Sequence, residues 1–227
     1  RLALYGCDPG VGLAWQARDV HPNEYGGSTF LALNDEVPLG LVKLRVPGEF
    51  NVLNALAALN VAFEVGVDWV IARTALESFT GTARRFEILG EAQNVLVIDD
   101  YAHHPTQIRG VLAAARQRYP ERRIIAAWEP HTFSRVKALY DAFMAAFDDA
   151  DEVVVLPIYA AREADDPTLT AKGLADDLLH PHVLSAGTLN EAVQVLSAQC
   201  KAGDVVMLMG AGNEYVMGQQ LLETLNA

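Results

Sequence analysis

The chain has 227 residues, 51% hydrophobic and 20% charged, with a formal net charge of −12. That length fits one large or two small domains, and the composition is that of an ordinary globular protein rather than a disordered one. The acidic surplus argues against nucleic acid as a partner, because phosphate neutralisation needs clustered Lys and Arg, and no apolar run approaches the roughly 20 residues of a membrane helix.

Cys7 and Cys200 lie far apart and show no metal-ligand spacing, so a reduced, cytoplasmic setting is the default. The chain begins at Arg1 without a signal-peptide pattern, and is expected to be the later part of a longer protein.

In chain order, residues 13–17, 28–33 and 39–46 read as short strands. Asn34-Asp35-Glu36 forms the turn of a hairpin between the last two. After Pro47-Gly48 a helix is expected, with Val52, Leu56, Leu59 and Phe63 on one face and Gly66 ending it. Residues 68–79 read as a second short helix and 80–83 as a linker.

From Phe86 onward the pattern changes to strands alternating with helices. Buried strands are expected at 94–98, 123–128, 152–156 and 204–209, with a weaker one at 182–184. Between them, Ile108, Val111, Leu112 and Ala115 mark one helix, and Val136, Tyr140, Phe143 and Phe147 another. Runs buried on both faces and separated by amphipathic helices indicate a doubly wound, mostly parallel sheet. The expected fold class is α/β: a truncated α+β piece over 1–83, then a complete Rossmann-like domain over 84–227.

In such sheets ligands bind beyond the carboxyl ends of the strands, and five clusters bear on that. Asp99-Asp100-Tyr101-Ala102-His103-His104-Pro105-Thr106 delivers carboxylates, a phenol and imidazoles together. The plainer reading is a polar loop whose Asp and Thr cap the next helix. In Glu129-Pro130-His131-Thr132-Phe133-Ser134-Arg135, His131 and Arg135 are four apart and share a face if that turn is helical. An Arg fork there suits a carboxylate or phosphate, whereas Thr132 or Ser134 as a cap beside a surface Arg is the alternative.

Arg162 after the third strand is either an anion contact or a solvated charge beside Glu163. Gly210-Ala211-Gly212 allows close backbone approach, and helix amides there favour anions, although any tight strand–helix turn wants Gly. Asn51 and Asn54 begin the early helix; both amides suit an adenine edge, or Asn51 is a plain N-cap. The basic pair Arg84-Arg85 contacts a phosphate or cross-links the two parts. No Gly-x-x-x-x-Gly-Lys-Ser/Thr phosphate cradle occurs in the sequence.

Taken in order, the segment 47–55, Arg84-Arg85-Phe86-Glu87, and the segments 99–106, 130–135, 158–163 and 209–213 resemble the Mur ligases, the alanine-adding branch in particular. The resemblance implies the end of a central ATPase domain followed by the C-terminal domain. The UDP-sugar domain, the P-loop and the main Mg2+ ligands would lie upstream, so no metal ligand is expected here. It implies ATP-dependent joining of L-alanine to UDP-N-acetylmuramate through an acyl phosphate, with the 227 residues inactive on their own.

By the same resemblance, Asn51, Asn54, Arg85 and Asp100 would serve the nucleotide. Tyr101, His103, His131 and Arg135 would surround the amino acid, with His103 or His131 handling a proton. Phe50 stands where the family usually has His and can stack but not hydrogen-bond; Thr132 stands where some members have Arg. The alternatives are a ligase that joins a whole tripeptide to the same nucleotide sugar, and a non-catalytic nucleotide- or amino-acid-binding module.

Overall fold

The computed structural model describes residues 2–7 and 12–227. It divides into two compact units, Arg1–Gly81 and Thr82–Ala227.

The first unit contains β1 (Tyr5–Gly6), β2 (Trp15–Pro22), β3 (Ser28–Asn34), β4 (Val37–Lys43), α1 (Glu49–Glu64) and α2 (Trp69–Ser78). The sheet order is β1-β2-β3-β4, with β1 parallel to β2 and the other pairs antiparallel. Asp35 and Glu36, both at positive φ, make the two-residue turn between β3 and β4, the backbone that matches strand twist in tight hairpins.

β2 runs on to Pro22, beyond the expected 13–17, because main-chain pairing with β3 carries it through Arg18–Pro22. Those residues are exposed and leave no apolar signal. The third strand is also displaced, to Val37–Lys43 from 39–46. In α1, Val52, Ala55, Leu56 and Leu59 are buried and pack with Trp15, Phe30 and Val42. Phe63, expected on that face, is 55% exposed and meets Trp15 edge to face, 5.9 Å between centroids. Gly66, at φ +78°, ends the helix in the left-handed conformation that glycine adopts without strain. Asp68 caps α2 through the Val70 amide.

The second unit contains β5 (Glu87–Ala92), β6 (Val95–Asp100), α3 (Pro105–Arg118), β7 (Ile124–Trp128), α4 (Phe133–Ala138) and α5 (Tyr140–Met144). Then follow β8 (Glu152–Val155), α6 (Ala171–Asp177), β9 (Val183–Ser185), α7 (Leu189–Gln199), β10 (Val205–Met209) and α8 (Glu214–Leu225). The strand order is β5-β6-β10-β7-β8-β9, all parallel except the β5–β6 hairpin.

Successive side chains enter opposite cores. Leu96, Ile98, Ile124, Ala126, Trp128, Val205 and Met207 join α3 to α6 on one face. Val95, Val97, Ile125, Ala127, Val206 and Leu208 join α7 and α8 on the other. Burial on both faces is why these strands read as unbroken apolar runs.

Two expectations are corrected. β5 escaped notice because Glu87, Gly90 and Glu91 interrupt its apolar residues, as befits an edge strand. The helix expected across 136–147 is two short ones, broken at Leu139 (φ −118°, ψ 24°). Val136, Phe143 and Phe147 are buried all the same, so the spacing reported burial rather than helical continuity.

Phe143 stacks on Trp128 with centroids 5.0 Å apart. Phe143→Ala is expected to destabilise the second unit by about 3–5 kcal/mol, read as a lowered urea midpoint in its unfolding transition with little change in slope.

Candidate active site

The carboxyl ends of β6, β10 and β7 lie side by side in the sheet. β6 ends on Asp99 and Asp100, which are 1% and 5% exposed. An Asp100 oxygen accepts the Phe86 amide at 2.8 Å, and the Ala102 amide also bonds this carboxylate. Burial raises its pKa nonetheless, against those amides and Arg85.

Arg84 turns inward. Its Nε donates to Asp99 at 3.2 Å and one Nη to the Gly210 carbonyl at 3.2 Å and to the Glu214 carboxylate. The guanidinium also lies over the rings of Tyr101 and Tyr215. Arg85 is exposed, its guanidinium 5.4 Å from the centroid of the Tyr101 ring. The basic pair therefore splits: Arg84 pins this unit together, and Arg85 is a cation left open. Burial lifts Asp99 to about 6 despite Arg84.

The Gly210-Ala211-Gly212 turn has its anions already. Glu214, fully buried, accepts the Gly212 amide at 3.1 Å. Glu129, just past β7 and 2% exposed, accepts the Asn213 amide at 3.1 Å. A Cβ on Gly212 would overlap the Glu129 carboxylate and stand 2.6 Å from Tyr159 Cγ, so close approach requires glycine here. Desolvation, then the hydrogen bond and charge of Glu214, push Glu129 up to about 9. Glu129 thus holds a proton at neutral pH and shares it with Glu214. Neither glutamate stood out in the sequence, since a Glu beside a strand end reads as a surface residue.

α3 is capped by His104, whose ring accepts the Thr106 amide, with Pro105 in the first turn. The capping job expected of Asp or Thr is thereby taken, and Asp100, Tyr101 and His103 are left for other work. Tyr101 and His103 meet edge to face at 5.1 Å, His103 and His131 at 6.0 Å, and His131 stacks flat on Tyr159 at 5.4 Å.

His131 precedes α4 rather than lying in it. Arg135 reaches back, one Nη donating to His131 Nδ1 at 2.9 Å and to its carbonyl at 2.7 Å. Nε and the other Nη of Arg135 have no hydrogen-bond partner among the described residues. Burial lowers the pKa of both histidines, with the Arg135 charge acting the same way.

Thr132 makes no cap with its own side chain. Glu163 does that work instead, accepting the Ser134 amide at 2.9 Å and the hydroxyls of Thr132 and Ser134. These hydrogen bonds hold its carboxyl down at about 2. Arg162 is exposed. Tyr159 and Glu163 are the contributors that local sequence signals did not single out.

In the first unit, Asn51 is three residues past the helix cap, Gly48, so it is not the N-cap. Its amide donates to the Pro47 carbonyl at 2.8 Å, and the Asn54 amide donates to Asn51 at 3.2 Å. Asn54 is exposed and Phe50 is 37% exposed. Among the described residues no group of three His, Cys, Asp or Glu could hold a metal ion. Nor is any helix long and apolar enough to cross a membrane.

The chain belongs to the Mur ligase family: the Mur ligase, glutamate ligase domain matches residues 84–212. Among its relatives, a UDP-N-acetylmuramate–L-alanine ligase of Caldanaerobacter subterraneus subsp. tengcongensis is 42% identical over 211 residues, covering 92% of this chain and 46% of that one. The crystal structure of UDP-N-acetylmuramate-alanine ligase from Thermotoga maritima superposes with a TM-score of 0.80 at 28% identity, covering 97% and 47%. A murein peptide ligase from Psychrobacter arcticus gives 0.66 at 28% identity, covering 94% and 44%. The chain spans about half the length of the curated relatives it matches.

Folded Glu129 keeps a proton that the unfolded chain sheds near 4.5, so it makes stability fall as pH rises from there to about 9. Glu129→Gln keeps a donor toward Glu214 without the titration. Its urea midpoint is expected to stay nearly flat from pH 7 to 8 while the parent's declines, a window above the titrations of Asp99, His103 and His131 and below that of the Cys200 thiol, which burial pushes up to about 12.

Proposed function

We propose that these residues form part of an ATP-dependent ligase that joins L-alanine to UDP-N-acetylmuramate, in the cytoplasm, during peptidoglycan synthesis. The observation that carries the reading is the run of ring contacts from Tyr101 through His103 to His131, which holds an Arg135 guanidinium whose other edge has no hydrogen-bond partner among the described residues. A fork held by two bonds to His131 is pre-oriented for the carboxylate of an amino acid. The names of the relatives support the choice of amino acid and nucleotide sugar.

In this reading the first unit is the last portion of a central ATP-binding domain, and the second is the C-terminal domain. ATP supplies the phosphoryl group that activates the muramoyl carboxylate as an acyl phosphate. Asn51 and Asn54 face the adenine, with Phe50 offering a ring to stack on it. Arg85 is the open cation for the nucleotide. Asp100 uses its remaining lone pairs toward the ribose while holding the turn that carries Arg85. Among the described residues no group of three His, Cys, Asp or Glu forms a Mg2+ cage.

Lacking a phosphate cradle in its sequence, the 227-residue chain is expected to turn over nothing alone, since phosphate positioning supplies most of phosphoryl-transfer catalysis. ADP release by the full-length protein, given UDP-N-acetylmuramate and L-alanine, tests the reading. Arg135→Ala is expected to raise KM for L-alanine about 10- to 100-fold, the worth of a charge-assisted pair, with KM for ATP unchanged. Turnover only with L-Ala-γ-D-Glu-diaminopimelate would assign the chain to tripeptide recycling. No turnover with either would favour a binding module.

A further inference from the structure

Histidine hydrogen bonds here have partners that can play only one part. The Tyr101 carbonyl, 2.8 Å from His103 Nδ1, can only accept. His103 therefore carries its proton on Nδ1 and presents a lone pair at Nε2. The Arg135 guanidinium, 2.9 Å from His131 Nδ1, can only donate. His131 therefore carries its proton on Nε2 and has no lone pair to offer there.

From this we infer that the two rings are held in opposite tautomers and divide the work: His103 Nε2 takes the proton of the incoming amine, and His131 Nε2–H donates a hydrogen bond to a substrate oxygen. The assignment of the base rests on the ligase reading above; the tautomers do not.

The proton inventory closes. The alanine ammonium gives one proton to His103 Nε2, freeing the nitrogen lone pair. The N–C bond forms as the carbonyl electrons move onto oxygen. They return as the C–O bond to phosphate breaks, and phosphate leaves with the bonding pair and the second nitrogen proton. His131 cannot replace His103, because taking a proton on Nδ1 would break its bond to Arg135.

Burial, with the charges of Arg135 on α4, Arg85 before β5 and His104 in the β6–α3 loop, favours neutral imidazoles at rest, while the Tyr101 carbonyl and the Glu214 carboxylate on α8 act the other way. The rings of Tyr101 and of Tyr159, after β8, are the remaining groups that face them. Tyr159 is a positioning residue, its ring lying only 11° from the His131 plane.

Long-range proton–nitrogen NMR on the 15N-labelled chain near pH 7.5 reads the tautomers with no substrate present, so its failure is separable from failure of the ligase reading. His103→Gln and His131→Gln assign the signals. The expected result is an Nδ1–H pattern for His103 and an Nε2–H pattern for His131. The same tautomer in both rings, or Nδ1–H in His131, would overturn the inference. In the full-length ligase, His103→Gln is expected to lower kcat by about 100- to 10,000-fold and abolish the acidic limb of its pH profile. His131→Gln, which keeps a donor, should retain that limb. Loss of the limb in His131→Gln rather than His103→Gln would equally overturn the assignment.

Discussion

Arg84 is one guanidinium set among carboxylates that water barely reaches. Asp99 and Glu214 bond it directly, Glu129 lies against Glu214, and the Gly210 carbonyl takes one of its remaining protons. One cation cannot neutralise three carboxylates, and a proton held on Glu129 leaves the group with a single net negative charge. Removing one member of a buried network of this kind leaves an uncompensated charge, which costs far more than the pair contributes. The network joins the start of the unit to the ends of β6, β7 and β10, and everything in the site stands on those ends.

From there order passes outward by contact. Glu129 and Tyr159 close on Gly212, Tyr159 stacks on His131, and His131 anchors Arg135. On the other flank, Asp100 ties down the Phe86 amide, and the Arg84 carbonyl accepts the Tyr101 amide at 2.9 Å. The polar groups at these strand ends are thus single side chains on a backbone fixed from beneath. Preorganisation of that kind lets a hydrogen-bond donor act without reorganising during reaction.

The parts legible in the sequence were those whose cause is local. β6, β7, β8 and β10 announced themselves because every residue is buried. The 99–106 segment was legible because a strand end followed by Pro105 fixes where its side chains emerge. β5 was not, since an edge strand with one solvated face needs few apolar residues. Glu129 and Glu214 were hidden for a different reason: burial and proton sharing between positions so far apart in sequence belong to the sheet order. The tautomers of His103 and His131 likewise depend on which atom of a neighbour lies within reach, and residue type alone does not disclose that.

Strand order carries one more consequence. β10, the last strand in sequence, lies between β6 and β7, which were laid down much earlier. During synthesis on the ribosome, β6 and β7 wait as unpaired edges, with Asp100 and His131 not yet neighbours through the sheet. Only when the C-terminal segment emerges and threads into the gap can the centre of the sheet zip shut. A chain that stops short of β10 therefore exposes two sticky strand edges and leaves the centre of the sheet open, so the pairing of β10 both aligns the strand ends and removes an aggregation hazard.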